Sequence, residues 1–325
     1  LKILHLEYDQ YPAAAISQLS EGNEIVRFEC TTQQELIVFL LANSFDVIFT
    51  RLGLMIDEEI LNLQPQLKYI VTPTTGLNHI DTDLAAERGI HIMSLKGEFD
   101  FLKTIKSTAE HTWALLLAIT RNIIAAHIAV SQYECWERKP FEAGEADGKT
   151  IGIIGFGRLG KIIAGYAKAF GMTVLINDTN QAEMENAQDG IIPVKLDELL
   201  GRSDYVVLLI SWSRENEEFF NRSMFEKMKA GAFFINTSRG ELVDQDALLH
   251  FLQIGRLGGA ALDVLKGDSS WESRVEGGKE LLLYSKNHQN LIITPHMGGY
   301  GTTSIAKTRS FIARKFILLS TKNDS

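Results

Sequence analysis

The stretch from Ile151 to Asp178, IGIIGFGRLGKIIAGYAKAFGMTVLIND, constrains this chain more than any other. An apolar run (151–155) leads into Gly155-Phe156-Gly157-Arg158-Leu159-Gly160, an amphipathic segment follows, and a second apolar run (172–178) ends at Asp178. Strand, glycine-rich turn, helix and strand in that order make a βαβ unit with a G-x-G-x-x-G turn. Gly155 makes the tight turn. Gly157 lacks a Cβ and lets a pyrophosphate approach the backbone. Gly160 lets helix and strand pack closely. The helix N-terminus at Arg158 and Leu159 offers free N–H groups and a positive dipole end to the phosphates. Asp178 can accept bonds from both hydroxyls of an adenosine ribose. Its charge repels a 2′-phosphate, and Thr179-Asn180-Gln181 offers no arginine to hold one. The expected cofactor is therefore NAD rather than NADP.

The rest of the chain repeats the alternation. Strand-like runs fall at 2–7, 24–29, 46–50 and 67–73, with helix-like stretches such as 32–43 and 82–89 between them. A second series covers 151–155, 172–178, 204–211, 231–238, 258–264 and 290–295, and a last helix is expected at about 302–319. This order predicts an α/β fold with parallel sheets covered by helices. A length of 325 residues allows about two domains, each with its own core. The first boundary is expected near residue 100. Ser107-Thr108-Ala109-Glu110 reads as a capping box, Ser107 at N-cap and Glu110 at N3, opening one long apolar helix over 111–130. That helix is expected in a core or an interface. A polar stretch, 131–150, precedes the second series.

Composition narrows the partners. Lys+Arg 32 against Asp+Glu 41 leaves a net charge of −9, which argues against nonspecific nucleic-acid or anionic-membrane binding. A single local arginine can still dominate an anion site. Cys30 and Cys135 are too few for a disulfide framework or a four-cysteine zinc site, so a reducing cytoplasm and no metal centre are expected. No apolar run reaches the ~18 residues of a membrane span. The opening LKILHLEYDQ has no basic n-region or cleavage site, so no secretory leader is expected.

Two more segments follow strand-like runs of the second series. INTSRGELVDQDAL places Arg239 just past one, and NLIITPHMGG places His296 just past another. Open α/β sheets bind their ligands at such strand ends.

On GFGRLG with Asp178, NTSRGELVD, AALDV and TPHMGG, in this order, the chain resembles the D-isomer-specific 2-hydroxyacid dehydrogenases. Weaker matches are TGLNHIDTDLAAERGI (75–90) and STAEHTWALLL (107–117). The resemblance implies two doubly wound, Rossmann- or flavodoxin-like parallel sheets. A cofactor domain (101–296) would be inserted into a discontinuous substrate domain (1–100 plus 297–325), with the cleft between them. It implies hydride transfer between NAD(H) and C2 of a 2-hydroxy or 2-keto acid, and a homodimer to which the helix from 107 contributes.

Site roles follow from the same resemblance. Arg239 would hold the substrate carboxylate with its planar fork and polarise the C2 oxygen. Backbone N–H groups at Thr75, Gly76 and Leu77 would assist it. His296 would give a proton to the C2 oxygen, as suits an imidazole with an ordinary pKa of ~6.5. Thr237, Ser238, Asp263, Met297, Gly298 and Gly299 would line the nicotinamide. Ser211 stands on the adenosine side, where the family usually reads like HVP. Arg51 aligns with a substrate-contacting arginine of the members that act on phosphoglycerate. Gly53 replaces the second arginine of that pair, which argues against a phosphate-bearing substrate.

The family usually pairs its histidine with Glu in a pattern like LDVFxxEP. Here LDVLKGDSS aligns Asp268, followed by Ser269. Asp keeps the charge on a stem shorter by ~1.5 Å. Either the loop moves inward, or the contact lengthens, or Asp268 is a turn residue and Glu272 or Glu276 is the partner. The segment 95–106 is longer than usual and adjoins the domain boundary. A second reading is a non-catalytic NAD(H)-binding regulator on the same fold. A formate- or phosphite-type activity is disfavoured, because formate-oxidising members place Gln where Asp268 stands.

Overall fold

The structure, a computed structural model, describes residues 1–187, 190–268 and 277–323. It forms two compact units, one of Leu1–Ile105 with the segment from Tyr300 onward, the other of Lys106–Asp268 with the stretch ending at Gly299.

In the first unit, β1 (Lys2–His5), β2 (Glu24–Arg27), β3 (Val47–Phe49), β4 (Tyr69–Val71) and β5 (His91–Met93) form one sheet. Their order is β2-β1-β3-β4-β5, and every pairing is parallel. Successive side chains point to opposite faces, so a buried strand feeds two cores. Leu4, Ile48 and Ile70 pack on one face with Leu36, Leu40, Ile60 and Ala85 from the helices Gln33–Leu41, Glu58–Leu63 and Thr82–Glu87. Ile3, Val47, Phe49, Tyr69 and Val71 pack on the other with Ile16 and Leu19 of Ala13–Ser20 and with Ile312, Ala313 and Phe316. The latter three come from the C-terminal helix Thr302–Asn323. Helix starts are capped in sequence-legible ways. Thr32 and Glu35 form a capping box, and Asp57 and Asp81 accept from Ile60 N and Leu84 N.

The segment 95–105 packs within this unit. Leu102 and Ile105 are buried, and Phe101 stacks on Phe311 with ring centroids 4.0 Å apart. Lys315 Nζ donates to Ser94 O (2.9 Å) and to Glu98 (2.6 Å).

In the second unit, β6 (Thr150–Ile154), β7 (Thr173–Asn177), β8 (Ile191–Pro193), β9 (Tyr205–Leu208), β10 (Phe233–Asn236), β11 (Gly259–Leu262) and β12 (Leu291–Ile293) form a parallel sheet. Its order is β12-β11-β10-β9-β6-β7-β8. From β6 the chain winds outward to β7 and β8, then returns to the opposite side of β6 at β9. This topological switch opens a crevice at the carboxyl ends of β6 and β9, where such sheets bind nucleotides.

Four expectations need correction. β5 and β8 are strands that the apolar alternation does not mark: each has three residues, and β8 tolerates Pro193 because it lies at the sheet edge. Ser107 is not an N-cap. The helix Ser107–Thr120 is preceded by Lys106 as cap, Glu110 N donates to Lys106 O (3.0 Å), and Ser107 Oγ donates to Gly298 O (2.8 Å). The long helix is two helices, Ser107–Thr120 and Ile123–Tyr133, with a break at residues 121–122. Asn122 supplies the break with φ +52°, a left-handed conformation that Asn tolerates. The first helix buries Trp113, Leu116 and Ile119, whereas the second leaves most of its apolar side chains exposed. No single helix among the described residues is long and apolar enough to cross a membrane.

Phe316 is fully buried and meets Phe49 and Tyr69 edge-to-face. Phe316→Ala is expected to lower the stability of the first unit by about 3–5 kcal/mol in chemical denaturation, through a cavity under the C-terminal helix.

Candidate functional site

The glycine turn has the geometry its sequence demands. Gly155 has φ +96°, and a Cβ there would lie 2.8 Å from the Leu209 carbonyl. A Cβ on Gly160 would lie 2.3 Å from Gly155 O, so only glycine lets this helix reach the turn. Gly157 caps the helix Arg158–Ala169, and a Cβ there would meet nothing within 4 Å. That open space beside the first helical amides is where a phosphate can approach. Arg158 and Leu159 open the helix half-buried, and burial pulls the Arg158 pKa down.

Asp178 follows β7 and braces the turn from the side. Its Oδ2 accepts from Phe156 N (2.6 Å) and its Oδ1 from Asn180 N (2.8 Å). A carboxylate has about four lone-pair sites, so each oxygen keeps capacity for a ribose hydroxyl. Open space at Gly157, helix amides and an anionic acceptor at the end of β7 together fit a dinucleotide without a 2′-phosphate. Ser211 lies exposed past β9, its carbonyl accepting from Asn216 Nδ2 (2.8 Å).

Beyond β10, Asn236 clamps the turn that carries Arg239. Its Oδ1 accepts from Ser238 N (2.9 Å), and its Nδ2 donates to Arg239 O (2.9 Å). Ser238 Oγ donates to Leu208 O (2.9 Å), and the Thr237 and Thr112 hydroxyls lie 2.7 Å apart. Arg239 is half-buried, and its Nη1 donates to Ser238 O (2.7 Å). Burial draws its pKa down, while the charges of Asp268 and Glu241 oppose that shift. A Cβ on Gly240 would lie 2.0 Å from the Leu265 carbonyl carbon, so this turn seats tightly on the loop bearing Asp268.

His296 follows β12 with φ +50°. Its N–H donates to Asp263 O (2.8 Å), and its Nδ1 lies 3.1 Å from Asp268 Oδ2. The latter is an ion-pair contact rather than a well-aligned hydrogen bond. Asp268 reaches the ring because its loop folds back: Asp268 N donates to Leu265 O (3.1 Å), and Asp268 Oδ2 accepts from Leu265 N (3.2 Å). Glu272 and Glu276 lie outside the described residues.

Asp263 is 2% exposed, and its carboxylate is engaged by the protein itself. Oδ1 accepts from Thr294 Oγ1 (2.6 Å) and Met297 N (2.9 Å), and Oδ2 accepts from Gly298 N (2.7 Å). His111 Nε2 lies 3.1 Å from Oδ1. Met297 is partly exposed, Gly298 is buried over Asp263, and Gly299 is exposed. Sequence reasoning gave His111 no role; its place in STAEH, one helical turn past Ser107, was the available signal.

Arg51, Thr75, Gly76 and Leu77 belong to the first unit. The Arg51 guanidinium donates to Cys30 O and Leu52 O, both at 2.8 Å, and so joins the loops after β2 and β3. The 75–77 loop is braced from below. Thr74 Oγ1 donates to Gly76 O (2.8 Å) and lies 2.9 Å from Thr72 Oγ1, which is 3.2 Å from His79 Nε2. Among the described residues, no cluster of three or more His, Cys, Asp or Glu could hold a metal ion.

The fold and the glycine turn define a doubly wound dinucleotide-binding protein. The model of the D-isomer specific 2-hydroxyacid dehydrogenase NAD-binding domain matches residues 113–298. A D-3-phosphoglycerate dehydrogenase of Synechocystis is 34% identical over 255 residues, 78% of this chain and 43% of that protein. A glyoxylate reductase of Thermococcus onnurineus is 31% identical over 313 residues, 94% of this chain and 89% of that protein. The crystal structure of a D-lactate dehydrogenase from Aquifex aeolicus, complexed with NAD and lactic acid, superposes with a TM-score of 0.82 at 27% identity, covering 100% of this chain and 96% of that one. This chain belongs to the D-isomer-specific 2-hydroxyacid dehydrogenase family, and its second unit is the NAD-binding domain. It spans less than half the length of the phosphoglycerate dehydrogenases it matches and most of the length of the glyoxylate reductase.

Two outcomes follow from this geometry. Gly160→Ala forces a Cβ against Gly155 O and is expected to weaken NADH binding at least about tenfold by fluorescence titration, as remodelling of a phosphate-binding turn implies. Asp263 is driven upward by burial, but the bonds from His111, Thr294, Gly298 and Met297 outweigh that and depress its pKa. A depressed carboxylate stabilises the fold above its unfolded pKa and loses that contribution as pH falls through the folded value. Asp263→Asn should therefore melt earlier than the parent at neutral pH, with the gap narrowing only below the ordinary carboxylate range.

Proposed function

We propose that this chain transfers a hydride between NAD(H) and C2 of a D-2-hydroxy acid or its 2-keto acid. The observation that carries the reading is Asp268 against His296, beside Arg239, at strand ends of the sheet that also carries the glycine turn. Arg239 grips the substrate carboxylate bidentately and polarises the C2 oxygen. With Asp268 on Nδ1, Nε2 of His296 is the nitrogen that exchanges a proton with that oxygen. Asp268 orients the ring and stabilises its charged form, as a carboxylate does in a histidine–aspartate pair. The chemistry that NAD(H) supplies when bound is hydride exchange at C2. Reduction thus adds a hydride to carbon and a proton to oxygen, and oxidation removes both. Thr237, Ser238 and the Met297–Gly299 backbone shape the nicotinamide side. Asp178 and Ser211 serve the adenosine side. Thr75, Gly76 and Leu77 contribute backbone N–H groups for a carboxylate. Arg51 acts chiefly as a loop brace, and a phosphate-free acid fits better than phosphoglycerate because Gly53 leaves it without a second arginine.

We also infer a homodimer. Helix Ile123–Tyr133 leaves Ile123, Ile124, Ile128, Val130 and Tyr133 exposed, and Trp136 beyond it is 89% exposed. An apolar face of this kind suits a second copy of the chain. Free Cys30 and Cys135 suit a reducing, cytoplasmic location.

The test is NADH oxidation across a panel of 2-keto acids. At least one acid should turn over. His296→Gln should lower kcat by about 10²–10⁴, the contribution of a positioned general acid. Arg239→Lys should raise KM, because the planar fork is lost. Tight NADH binding with no acid reduced would replace this reading with that of an NAD(H)-binding regulator.

A further inference from the structure

We propose that His111 is a positioning residue for His296, acting through the Asp263 carboxylate on the turn 294–298. The proposal rests on the dehydrogenase reading in so far as His296 is the proton donor.

His296 sits at φ +50°, a left-handed conformation that is uncommon for any residue but glycine, although Asn, Asp and His enter it more readily than the rest. The direction of its imidazole is set by a backbone that something must hold there. The holding groups are on the next two residues. Met297 N and Gly298 N both donate to Asp263, one to each carboxylate oxygen, at 2.9 and 2.7 Å. The orientation of that carboxylate therefore sets the turn.

Two side chains set the orientation in their turn. Thr294 Oγ1 donates to Oδ1 from within the same turn, at 2.6 Å. His111 is the contact from elsewhere, on the buried helix Ser107–Thr120. An ionised carboxylate only accepts, so Nε2 of His111 carries the hydrogen. It directs it toward Asp263 Oδ1 (3.1 Å) and Thr294 Oγ1 (3.0 Å) together. A bond from a rigid, packed helix stops the carboxylate rotating with the turn it supports.

The same helix face grips the turn again. Ser107 lies four residues before His111, hence on the same side of the helix. Its hydroxyl donates to Gly298 O at 2.8 Å. Gly298 is thus held at its N–H through Asp263 and at its carbonyl by Ser107. A Cβ at Gly298 would lie 2.9 Å from Asp263 Oδ2, so this close seating requires glycine. The match STAEH has a mechanical content: its Ser and His are the two fingers that hold the proton-transfer turn.

The test uses the full chain with His111→Ala, His111→Gln and Ser107→Ala. Three quantities are measured: amide hydrogen exchange at Met297 and Gly298, NADH affinity by fluorescence, and kcat and KM for a 2-keto acid that the parent reduces. His111→Ala should speed exchange at both amides at least about tenfold while the amides of β6 and β9 keep their protection. Its kcat should fall about tenfold or more, with KM and NADH affinity within about twofold, as for a misplaced proton donor. His111→Gln, whose amide can reach the Nε2 position, should recover most of both. Unchanged exchange and unchanged kcat in His111→Ala would overturn the proposal, as would a kcat loss with exchange unaltered. Should His111→Ala not fold, Ser107→Ala decides: faster exchange at Gly298 alone supports the two-point grip, and no change overturns it. A parent that reduces no acid defeats the dehydrogenase reading, and the exchange data then decide separately whether His111 holds the turn.

Discussion

The buried carboxylate of Asp263 is the point on which the candidate active site depends. It follows β11, underlies the turn after β12 and meets the helix Ser107–Thr120. Hydrogen bonds to a charged group contribute about 1.5–3 kcal/mol each, and losing partners in a buried setting costs more than the bond returns. Four donors on one carboxylate therefore make a rigid junction. Asp263 also binds His296 through its backbone, since Asp263 O accepts the His296 N–H. Position along the strands brings the imidazole to the sheet edge, and this junction gives it a direction.

A second carboxylate plays a parallel part at the cofactor turn. Asp178 accepts from Phe156 N inside the glycine sequence and from Asn180 N in its own loop. The carboxylate at the end of β7 therefore fixes the glycine turn from the side. Glycines make both arrangements possible by removing Cβ atoms where backbones touch. Gly160 lies against Gly155, and Gly240 lies against the loop of Asp268. That second contact seats the Arg239 turn beside the loop whose Asp268 lies 3.1 Å from His296 Nδ1. The loop comes to the ring, and its fold-back is closed by Asp268 on Leu265 N.

Much of this was legible in order along the chain. The alternation of apolar runs marks ten of the twelve strands among the described residues, and the two it misses are three-residue pieces. Arg239, Asp268 and His296 could be named because motif spacing survives folding, and the structure brings the three together in one unit. Less was legible where one residue serves two elements. Ser107 looked like a helix cap, yet its hydroxyl is spent on Gly298, 191 positions away. The Arg51 fork ties two neighbouring loops, a contact that its place in the sequence does not reveal.

By itself the sequence determined the α/β class and the dinucleotide turn, and it singled out the candidate acid–base residues. These depend on local periodicity, on the absence of a Cβ and on side-chain chemistry, all of which are properties of short segments. Only the tertiary structure decided which way those residues face. It turned Asp263 inward as a junction, broke the helix at Asn122, set His296 in a left-handed conformation and brought His111 to Asp263 across 152 positions of chain. Hydrogen bonds between distant segments have no period in the sequence, because a donor needs its acceptor within about 3 Å in space and nothing in particular along the chain.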